Sequence, residues 1–330
     1  MSSPYPLTFE PILKDKVWGG RRLAAFGKKL PDTVPIGESW ELADLDATSV
    51  SGGGGGAEHS IISSGRFRGR NIREAVRTWG TSLYGRAKPG PKGAFPLLVK
   101  FLDAKENLSV QVHPSPAYAA AHPGANLKTE CWLIMAAEPG SVIYKGLKPG
   151  VTREKFAEHI RSGKAVDDMI SVPAVVGECH NLPSGTCHAL GAGVLVAEVQ
   201  TPSDTTFRVF DWGRKGRELH VEQALACIDF APAPDATRVP EGKTKGPLVK
   251  TEFFSVEGVN LTAGASVDVG PSDGRCAVVM VLRGEGTLVG RGSPETRLSA
   301  GATVLVPASL ADVVQIRSAA GLSGLIAFVG

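Results

Sequence analysis

The stretch Leu-Ser-Val-Gln-Val-His-Pro at residues 108–114 has the pattern of a β-strand. From Leu108 onward apolar and polar residues alternate, so Ser109, Gln111 and His113 share one face of that strand. Glycine and proline are abundant along the whole chain, at 40 and 23 of 330 residues, and the apolar runs between them are short. The sequence therefore predicts many strands joined by turns, with a few helices added.

Two other segments place polar side chains on strands. Glu130 opens an apolar strand that continues Cys-Trp-Leu-Ile. A Pro-Ser-Gly turn in the segment Pro-Ser-Gly-Thr-Cys-His-Ala-Leu, residues 183–190, leads to a strand that carries His188. With Gln111 and His113, these residues supply two imidazoles, a carboxylate and an amide oxygen. Such a set suits one divalent ion, with zinc as the first choice and manganese or ferrous iron as alternatives.

The distribution of histidine and proline divides the chain into two units. All seven histidines lie at or before His220, so a histidine-based metal site must belong to the first unit. Residues 231–247 carry Ala-Pro-Ala-Pro, then charged residues and then Gly-Pro, which is the composition of a linker. We expect residues 1–230 to form a metal-binding barrel with inserted helices. Residues 248–330 are expected to form a smaller, metal-free barrel with a structural role.

The C-terminal unit is expected to consist of short strands. Residues 277–282 and 287–289 have strand composition, and the Gly-Glu-Gly sequence at 284–286 between them predicts a turn. Residues 303–307 follow as another strand. One face of the first of these strands should be buried, against the C-terminal core or against the first unit, and its residues are Val278, Met280 and Leu282.

Capping residues and apolar spacing predict four helices. These are expected at residues 72–79, 116–121, 152–161 and 217–228. The glycine run at residues 52–56 predicts a flexible loop, because it lacks the Lys-Ser/Thr that a phosphate-binding P-loop needs.

The overall composition argues against several classes of protein. With 36 basic and 33 acidic residues, the net charge of +3 gives no argument for a nucleic-acid or membrane partner, but it permits a basic pocket for a small anionic metabolite. The five cysteines include no C-x-x-C pair, which argues against a disulfide framework and for a reducing compartment. No signal-peptide pattern follows Met1 and no apolar run reaches membrane-spanning length, so a cytoplasmic location is predicted.

The ordered motifs Gln-Val-His-Pro, Lys-Thr-Glu-Cys-Trp and Pro-Ser-Gly-Thr-Cys-His-Ala-Leu resemble those of type I mannose-6-phosphate isomerases, in their short bacterial form. Residues 11–20, 37–41 and 198–212 resemble further segments of that family. The resemblance extends over residues 9–230, whereas the C-terminal unit matches in pattern only. It implies a mainly β fold of tandem cupin-type, or jelly-roll, barrels with a few inserted helices.

The resemblance also implies the functional residues and the partner. The metal ligands would be Gln111, His113, Glu130 and His188. The catalytic residues would be Arg208, Lys128, Glu198 and Asp204. Ser109 and Lys100 would bind the substrate, a small sugar phosphate. We expect the chain to act as a monomer or weak homodimer.

The implied reaction interconverts mannose 6-phosphate and fructose 6-phosphate by metal-assisted proton transfer through a cis-enediol. The sequence leaves the general base open among Glu198, Asp204, Lys128 and a metal-bound water. It also leaves open whether Glu198 and Asp204 instead form ion pairs that orient Arg208. Two other functions use the same residues. One is a broader aldose-phosphate isomerase that also accepts glucose 6-phosphate, and the other is a non-catalytic cupin that binds sugar phosphates.

Overall fold

The protein consists mainly of β-strands, with short helices between them. The computed structural model describes residues 3–49, 54–290 and 295–330. The strands are β1 Leu7–Thr8, β2 Ile12–Gly20, β3 Ile36–Leu42, β4 Asp44–Leu45, β5 Glu58–His59, β6 Leu98–Ala104, β7 Val110–Val112, β8 Glu130–Ala137, β9 Val142–Leu147, β10 Met169–Pro173, β11 Cys179–Leu182, β12 His188–Leu190, β13 Val194–Gln200, β14 Phe207–Phe210, β15 Ala236–Thr237, β16 Lys245–Lys250, β17 Phe254–Leu261, β18 Ser266–Asp268, β19 Ala277–Gly290, β20 Thr296–Ser299, β21 Thr303–Val306, β22 Val314–Arg317 and β23 Leu322–Val329. The α-helices are α1 Ile72–Trp79, α2 Thr81–Tyr84, α3 Pro116–Ala121, α4 Arg153–Arg161, α5 Val221–Cys227 and α6 Ala308–Ala311, and 3-10 helices span Arg22–Phe26, Gly65–Phe67, Pro91–Gly93 and Ala165–Asp168.

Two antiparallel sheets form the first barrel. One has the strand order β15-β11-β8-β13-β6-β2-β3, and the other has the order β10-β9-β12-β7-β14. The two sheets enclose an apolar core to which Leu102 and Val196 contribute from the first sheet and Ile143 and Leu190 from the second. The outer face of the second sheet packs against α4 and α5, where Phe156 is fully buried. The inner face of the first sheet also contributes buried charged side chains, among them Lys100 and Glu198.

Strand β7 confirms the predicted alternation but is shorter than expected, because it begins at Val110. Val110 and Val112 point outward into the core under α4 and α5. Leu108, which the alternation placed on the same face, instead packs inside the barrel. The reason is that strand periodicity applies only once the chain is paired, and Leu108 precedes the paired residues.

Three of the four predicted helices are confirmed. Helices α1, α3 and α4 match the expected ranges to within one residue. Ser115 and Thr152 cap α3 and α4, since each hydroxyl accepts the backbone N–H of the residue three positions later. No helix in the described ranges is long and apolar enough to cross a membrane.

The fourth predicted helix, at residues 217–228, is wrong at its N-terminal end, because α5 begins only at Val221. Arg217 lies in the preceding loop, where its Nη1 atom is 3.0 Å from each carboxylate oxygen of Asp211. This ion pair holds Arg217 beside the end of β14, so that Arg217 does not belong to the helix. The apolar spacing of the sequence does not indicate such a contact.

The glycine run is described only in part. Gly54 and Gly55 donate their backbone N–H groups to the carbonyl oxygen of Ser49, at 3.0 and 3.2 Å. Residues 54–56 belong to no helix or strand, as the predicted loop requires. Residues 52 and 53 lie outside the described residues.

A nine-stranded sheet forms the C-terminal unit. Its main path has the order β1-β21-β19-β23-β17-β16, and β18, β20 and β22 join it through β19 and β22. The turn predicted at residues 284–286 is wrong, because β19 is a single strand through this point. A Cβ atom added to Gly284 would lie 2.1 Å from the carbonyl oxygen of Gly321. This glycine therefore permits a close approach between two backbones rather than a turn.

The two units share a hydrophobic core. Val278, Met280 and Leu282 of β19 pack in one cluster with the outer face of the seven-stranded sheet, which includes Val99 and Leu133. The other face of β19 belongs to the C-terminal unit's own core. The sequence predicts that this strand face packs against either the C-terminal core or the first unit. The structure shows that it contacts the first unit.

Backbone pairing also crosses between the units. Strand β1 pairs with β21 of the C-terminal sheet, with Leu7 opposite Leu305. Strand β15, inside the expected linker, pairs with β11 of the first barrel. The Lys28 ammonium forms a buried ion pair with Glu41 at 2.6 Å and donates to the carbonyl oxygen of Gly301 at 2.9 Å. The domain boundaries expected from the sequence stay a prediction.

Candidate active site

Three buried side chains from three strands converge inside the first barrel. His113 follows β7, Glu130 begins β8 and His188 begins β12. Their ligand-type atoms all lie within 4.8 Å of one another. Gln111 joins them, because it lies directly opposite His188 in the β7–β12 register and its Nε2 atom is 3.4 Å from His188 Nε2. The structure thus brings together all four predicted ligands.

The hydrogen bonds of both imidazoles fix their tautomers. His113 Nδ1 is 2.9 Å from the carbonyl oxygen of Thr205, and His188 Nδ1 is 2.8 Å from the carbonyl oxygen of Thr186. A carbonyl oxygen only accepts hydrogen bonds, so each Nδ1 carries the hydrogen. Each Nε2 then presents a lone pair toward the other members of the cluster, which is the form of histidine that binds metals.

The arrangement of these lone pairs fits a cation. His188 Nε2 lies 3.1 Å from Glu130 Oε1, and His113 Nε2 lies 3.4 Å from Glu130 Oε2. Neither His113 Nε2 nor Glu130 Oε1 has a hydrogen-bond partner among the described residues, although both atoms are buried. Buried acceptors that face one another are unfavourable unless a donor or cation lies between them. Two imidazoles and a carboxylate are a donor set that zinc and similar divalent ions prefer.

A neighbouring lysine sets the charge of the cluster. Lys128 Nζ lies 2.6 Å from Glu130 Oε2, and both side chains are buried. Burial alone would raise the pKa of Glu130, but the Lys128 ammonium holds it well below its usual range. Burial and the same ammonium lower the pKa of His113 to about 3. The carboxylate is therefore ionised and the imidazole neutral, as metal binding requires.

A cleft opens beside this cluster. Gln111 and Lys128 belong to its wall and also contact the buried histidine and glutamate. The six predicted catalytic and substrate-binding residues all line the cleft. The lining residues are Lys16, Trp18, Glu38, Trp40, Lys100, Leu102, Leu108, Ser109, Gln111, Lys128, Trp132, Glu198, Asp204, Thr206, Arg208 and Arg217.

Four of these residues form a row across adjacent strands. Trp40 on β3 lies opposite Lys100 on β6, Lys100 lies opposite Glu198 on β13, and Glu198 lies opposite Trp132 on β8. Directly opposed residues of an antiparallel sheet share a face, so the row runs along one side of the cleft. The Lys100 ammonium lies 3.2 Å from Glu198 Oε2 and 3.4 Å from Glu38 Oε2.

The two carboxyl groups beside Lys100 have opposite pKa shifts. Burial acts against the charge of Glu38, but Lys16 and Lys100 outweigh it and lower the pKa of this group to about 2. Burial raises the pKa of Glu198, and Lys100 opposes this only in part. Carboxyl groups whose pKa values are driven apart in one cleft are suited to different tasks in proton transfer.

Two arginines supply positive charge elsewhere in the cleft. Arg208 lies opposite Gln111 in the β14–β7 register, and its Nη1 donates to the carbonyl oxygen of Glu218 at 2.7 Å. Its buried Nε has no hydrogen-bond partner among the described residues. Burial and the charge of Arg217 lower the pKa of Arg208, although a guanidinium stays protonated at neutral pH. The ion pair with Asp211 restrains Arg217.

Asp204 and Ser109 occupy the remaining predicted positions. Asp204 Oδ1 and Oδ2 lie 2.9 and 2.8 Å from the backbone nitrogen of Ser49, and the Ser49 hydroxyl donates to Oδ2 at 3.0 Å. Ser109 lies beside Gln111, with its hydroxyl 3.5 Å from the amide oxygen. The Asp204 carboxylate therefore anchors the segment that contains Ser49.

Several lining residues were not assigned a role from the sequence. Lys16 and Trp18 belong to residues 11–20, and Glu38 and Trp40 belong to residues 37–41. Both segments resemble the type I isomerase family, and this resemblance is the feature of the sequence that could have indicated these residues. Arg217 was placed on a helix, and no pattern in the sequence indicated that it faces the cleft.

The fold and the cluster together define a class of protein, a tandem β-barrel protein with a buried two-histidine, one-carboxylate site beside a cationic cleft. Residues 7–131 match the family described as phosphomannose isomerase type I, catalytic domain. Mannose-6-phosphate isomerase ManA of Bacillus subtilis (strain 168) is 33% identical over 294 residues, which cover 86% of this chain and 87% of that protein. Mannose-6-phosphate isomerase of Streptococcus mutans is 34% identical over 260 residues, which cover 76% of this chain and 77% of that protein. The chain belongs to the type I phosphomannose isomerase family.

Solved structures agree with this assignment. The crystal structure of the mannose 6-phosphate isomerase from Bacillus subtilis has a TM-score of 0.82 and 28% identity, and the match covers 98% of this chain and 99% of that one. A structure described as mannose 6-phosphate isomerase in its holo, zinc-bound form has a TM-score of 0.75 at 16% identity, covering 99% and 100% of the two chains, and so shares the fold. The predicted mainly β architecture of tandem cupin-type barrels is confirmed.

Proposed function

We propose that the chain interconverts mannose 6-phosphate and fructose 6-phosphate. The observation that carries the proposal is the buried cluster of His113, Glu130 and His188 at the side of a cleft rich in lysine and arginine. The relatives at about one-third identity are named mannose-6-phosphate isomerases, which supports this substrate. A non-catalytic sugar-phosphate receptor would have no need of buried metal ligands and a carboxyl group with a raised pKa in the same cleft.

The cluster, with Gln111, would hold one divalent ion, and zinc is the ion found in a solved structure of the same fold. Gln111 can turn its amide oxygen toward the cluster by a half-turn of its last torsion, since oxygen and nitrogen occupy equivalent positions. When bound, the ion would polarise the oxygen atoms at C1 and C2 of the open-chain sugar.

Arg208 and the lysines would balance the negative charge of the substrate. Arg208 lies beside Gln111 in the strand register, so we assign it to the oxygen atoms that become negative in the enediolate. Arg217, which Asp211 restrains, is the second guanidinium available for the phosphate. Ser109 and Lys100 line the same cleft and would contact the sugar hydroxyl groups.

Glu198 is the best placed of the candidates for proton transfer. The reaction moves one proton from C2 to C1 and one from the C2 oxygen to the C1 oxygen. Lys128 is engaged with Glu130 at 2.6 Å, and both Asp204 oxygens accept hydrogen bonds from Ser49. Glu198 Oε2 has no hydrogen bond among the described residues, and its ion pair with the Lys100 ammonium, at 3.2 Å, is longer than that between Lys128 and Glu130. We therefore assign it the transfer between the two carbon atoms, while Lys128 steadies the charge on Glu130.

A coupled isomerase assay tests the proposal. Mannose 6-phosphate and glucose 6-phosphate would be compared as substrates, each with and without a chelator. Conversion of mannose 6-phosphate that disappears with chelator and returns with zinc is the expected result. Equal rates on both sugars would indicate the broader aldose-phosphate isomerase. Binding of either sugar without turnover would indicate the non-catalytic cupin that binds sugar phosphates.

Metal content provides a test that does not depend on activity. Elemental analysis of the purified protein should find about one divalent ion per chain, held by the cluster in the first barrel. His188→Ala should lose most of this metal, because it removes one of three strong ligands. His122→Ala is the matched control, since His122 is an exposed histidine at the C-cap of α3 and does not belong to the cluster of His113, Glu130 and His188. Active protein that contains no metal would contradict the prediction.

A further inference from the structure

Trp132 connects the two halves of the proposed site. Its indole Nε1 donates a hydrogen bond to Glu198 Oε1 at 2.9 Å. Its ring meets that of His188 edge to face, with the ring centroids 5.2 Å apart and an angle of 88° between the planes. The residue is 1% exposed, so neither contact competes with bulk water.

The contact with Trp132 makes the two oxygens of Glu198 different. Oε1 accepts a hydrogen bond from the indole N–H, whereas Oε2 forms an ion pair with the Lys100 ammonium at 3.2 Å. Because Trp132 and Glu198 are directly opposed on neighbouring strands, the backbone holds the donor and the acceptor in register. Rotation of the carboxyl group would break a buried hydrogen bond to a charged acceptor, which is among the stronger bonds in proteins.

We propose that Trp132 is a positioning residue for the isomerisation, holding the Glu198 carboxyl group in the orientation that offers Oε2 to the substrate. The proposal rests on the proposed function, because it concerns a group that exchanges a proton with the sugar. Trp132 itself takes no part in proton transfer. Its effect is to keep one oxygen within reach of C1 and C2 through both halves of the transfer.

On the other side of Lys100, a second tryptophan donates to a carboxyl group, here to the same oxygen that faces the ammonium. Trp40 Nε1 donates to Glu38 Oε2 at 2.6 Å, and the Lys100 ammonium lies 5.0 Å from the centroid of the Trp40 ring. Both carboxyl groups that face Lys100 are thus restrained by an indole N–H. The ammonium lies between these two carboxyl groups, 3.2 Å from Glu198 Oε2 and 3.4 Å from Glu38 Oε2.

Trp132→Phe separates the hydrogen bond from the ring packing. Phenylalanine keeps an aromatic ring against His188 but has no N–H for Glu198. We expect kcat to fall about tenfold or more, the scale of a lost hydrogen bond to a charged group, while KM changes by less than about threefold. Metal content should stay that of the unaltered protein. Trp79→Phe is the matched control, because Trp79 is a buried tryptophan outside the cleft whose Nε1 has no partner among the described residues.

A double-mutant cycle tests whether Trp132 acts through Glu198. In a Glu198→Gln background, which cannot carry the proton, Trp132→Phe should reduce kcat little further. Independent, multiplying losses would overturn the proposal, and so would a loss of metal in Trp132→Phe, which would assign the effect to His188. Normal kcat in Trp132→Phe would overturn it too. Failure of the unaltered chain to isomerise mannose 6-phosphate would instead reject the proposed function, so the two failures are distinguishable.

Discussion

Arg208→Ala is expected to reduce kcat by about a hundredfold or more, the effect of removing one donor to a developing oxyanion. The guanidinium is buried, its Nη1 is held by the carbonyl oxygen of Glu218, and its strand register places it beside Gln111. If it balances charge that grows in the enediolate, the lost interaction belongs to the transition state, so the loss appears in kcat rather than KM. Steady-state kinetics with mannose 6-phosphate measures both.

Two further variants make this prediction specific. Arg208→Lys keeps the charge but loses the planar fork, so it should restore little activity if two oxygen atoms are contacted at once. Arg217→Ala should act mainly on KM, because the phosphate has the same charge in substrate and transition state. Metal content should be unchanged in all three variants. Near-normal kcat and kcat/KM in Arg208→Ala would contradict the prediction and would show that Arg208 has only a structural role.

A chain that ends at Phe230 is expected not to fold. The truncation removes the strand face formed by Val278, Met280 and Leu282, which packs in one cluster with the outer face of the first barrel. Each such side chain contributes about 1.5–3 kcal/mol when buried. Their loss, with that of the neighbouring strands, exceeds the total stability of about 5–15 kcal/mol that is typical of a domain. It would also leave buried residues such as Leu133 exposed.

Circular dichroism and thermal unfolding of the truncated chain measure this outcome. The chain of 330 residues is the reference, and Met280→Ala provides an intermediate case, expected to cost about 2–5 kcal/mol through the cavity that it creates. A truncated chain with a cooperative transition at the Tm of the 330-residue chain, and with full activity, would show that the C-terminal unit is dispensable.

The comparison of sequence and structure shows which features local patterns can predict. The positions of His113, Glu130 and His188 followed from strand alternation and turn residues, since these patterns act within a few residues. The course of β19 through Gly284 was not predicted, because the cause is the approach of Gly321 from another strand. Glycine in a turn and glycine under a neighbouring backbone look the same in a sequence.

Contacts between distant residues were also beyond the reach of local patterns. The apolar spacing of residues 217–228 predicts a helix, but an ion pair with Asp211 keeps Arg217 outside α5. The partners of Glu198 illustrate the same limit. Lys100 and Trp132 lie far from it in the chain and reach it only through the pairing of β6, β13 and β8. Family resemblance could name the residues that line the cleft, but not the bonds between them.

The pairing of β1 with β21 affects how the protein behaves after proteolytic cleavage of the backbone. Residues 241–243 form an exposed turn in the segment between the two units. A protease that cleaves there would leave two fragments, yet the first fragment keeps β1 inside the sheet of the second and shares its hydrophobic core. The nicked protein should therefore remain one particle in size-exclusion chromatography, and the two fragments should separate only when denaturant is added.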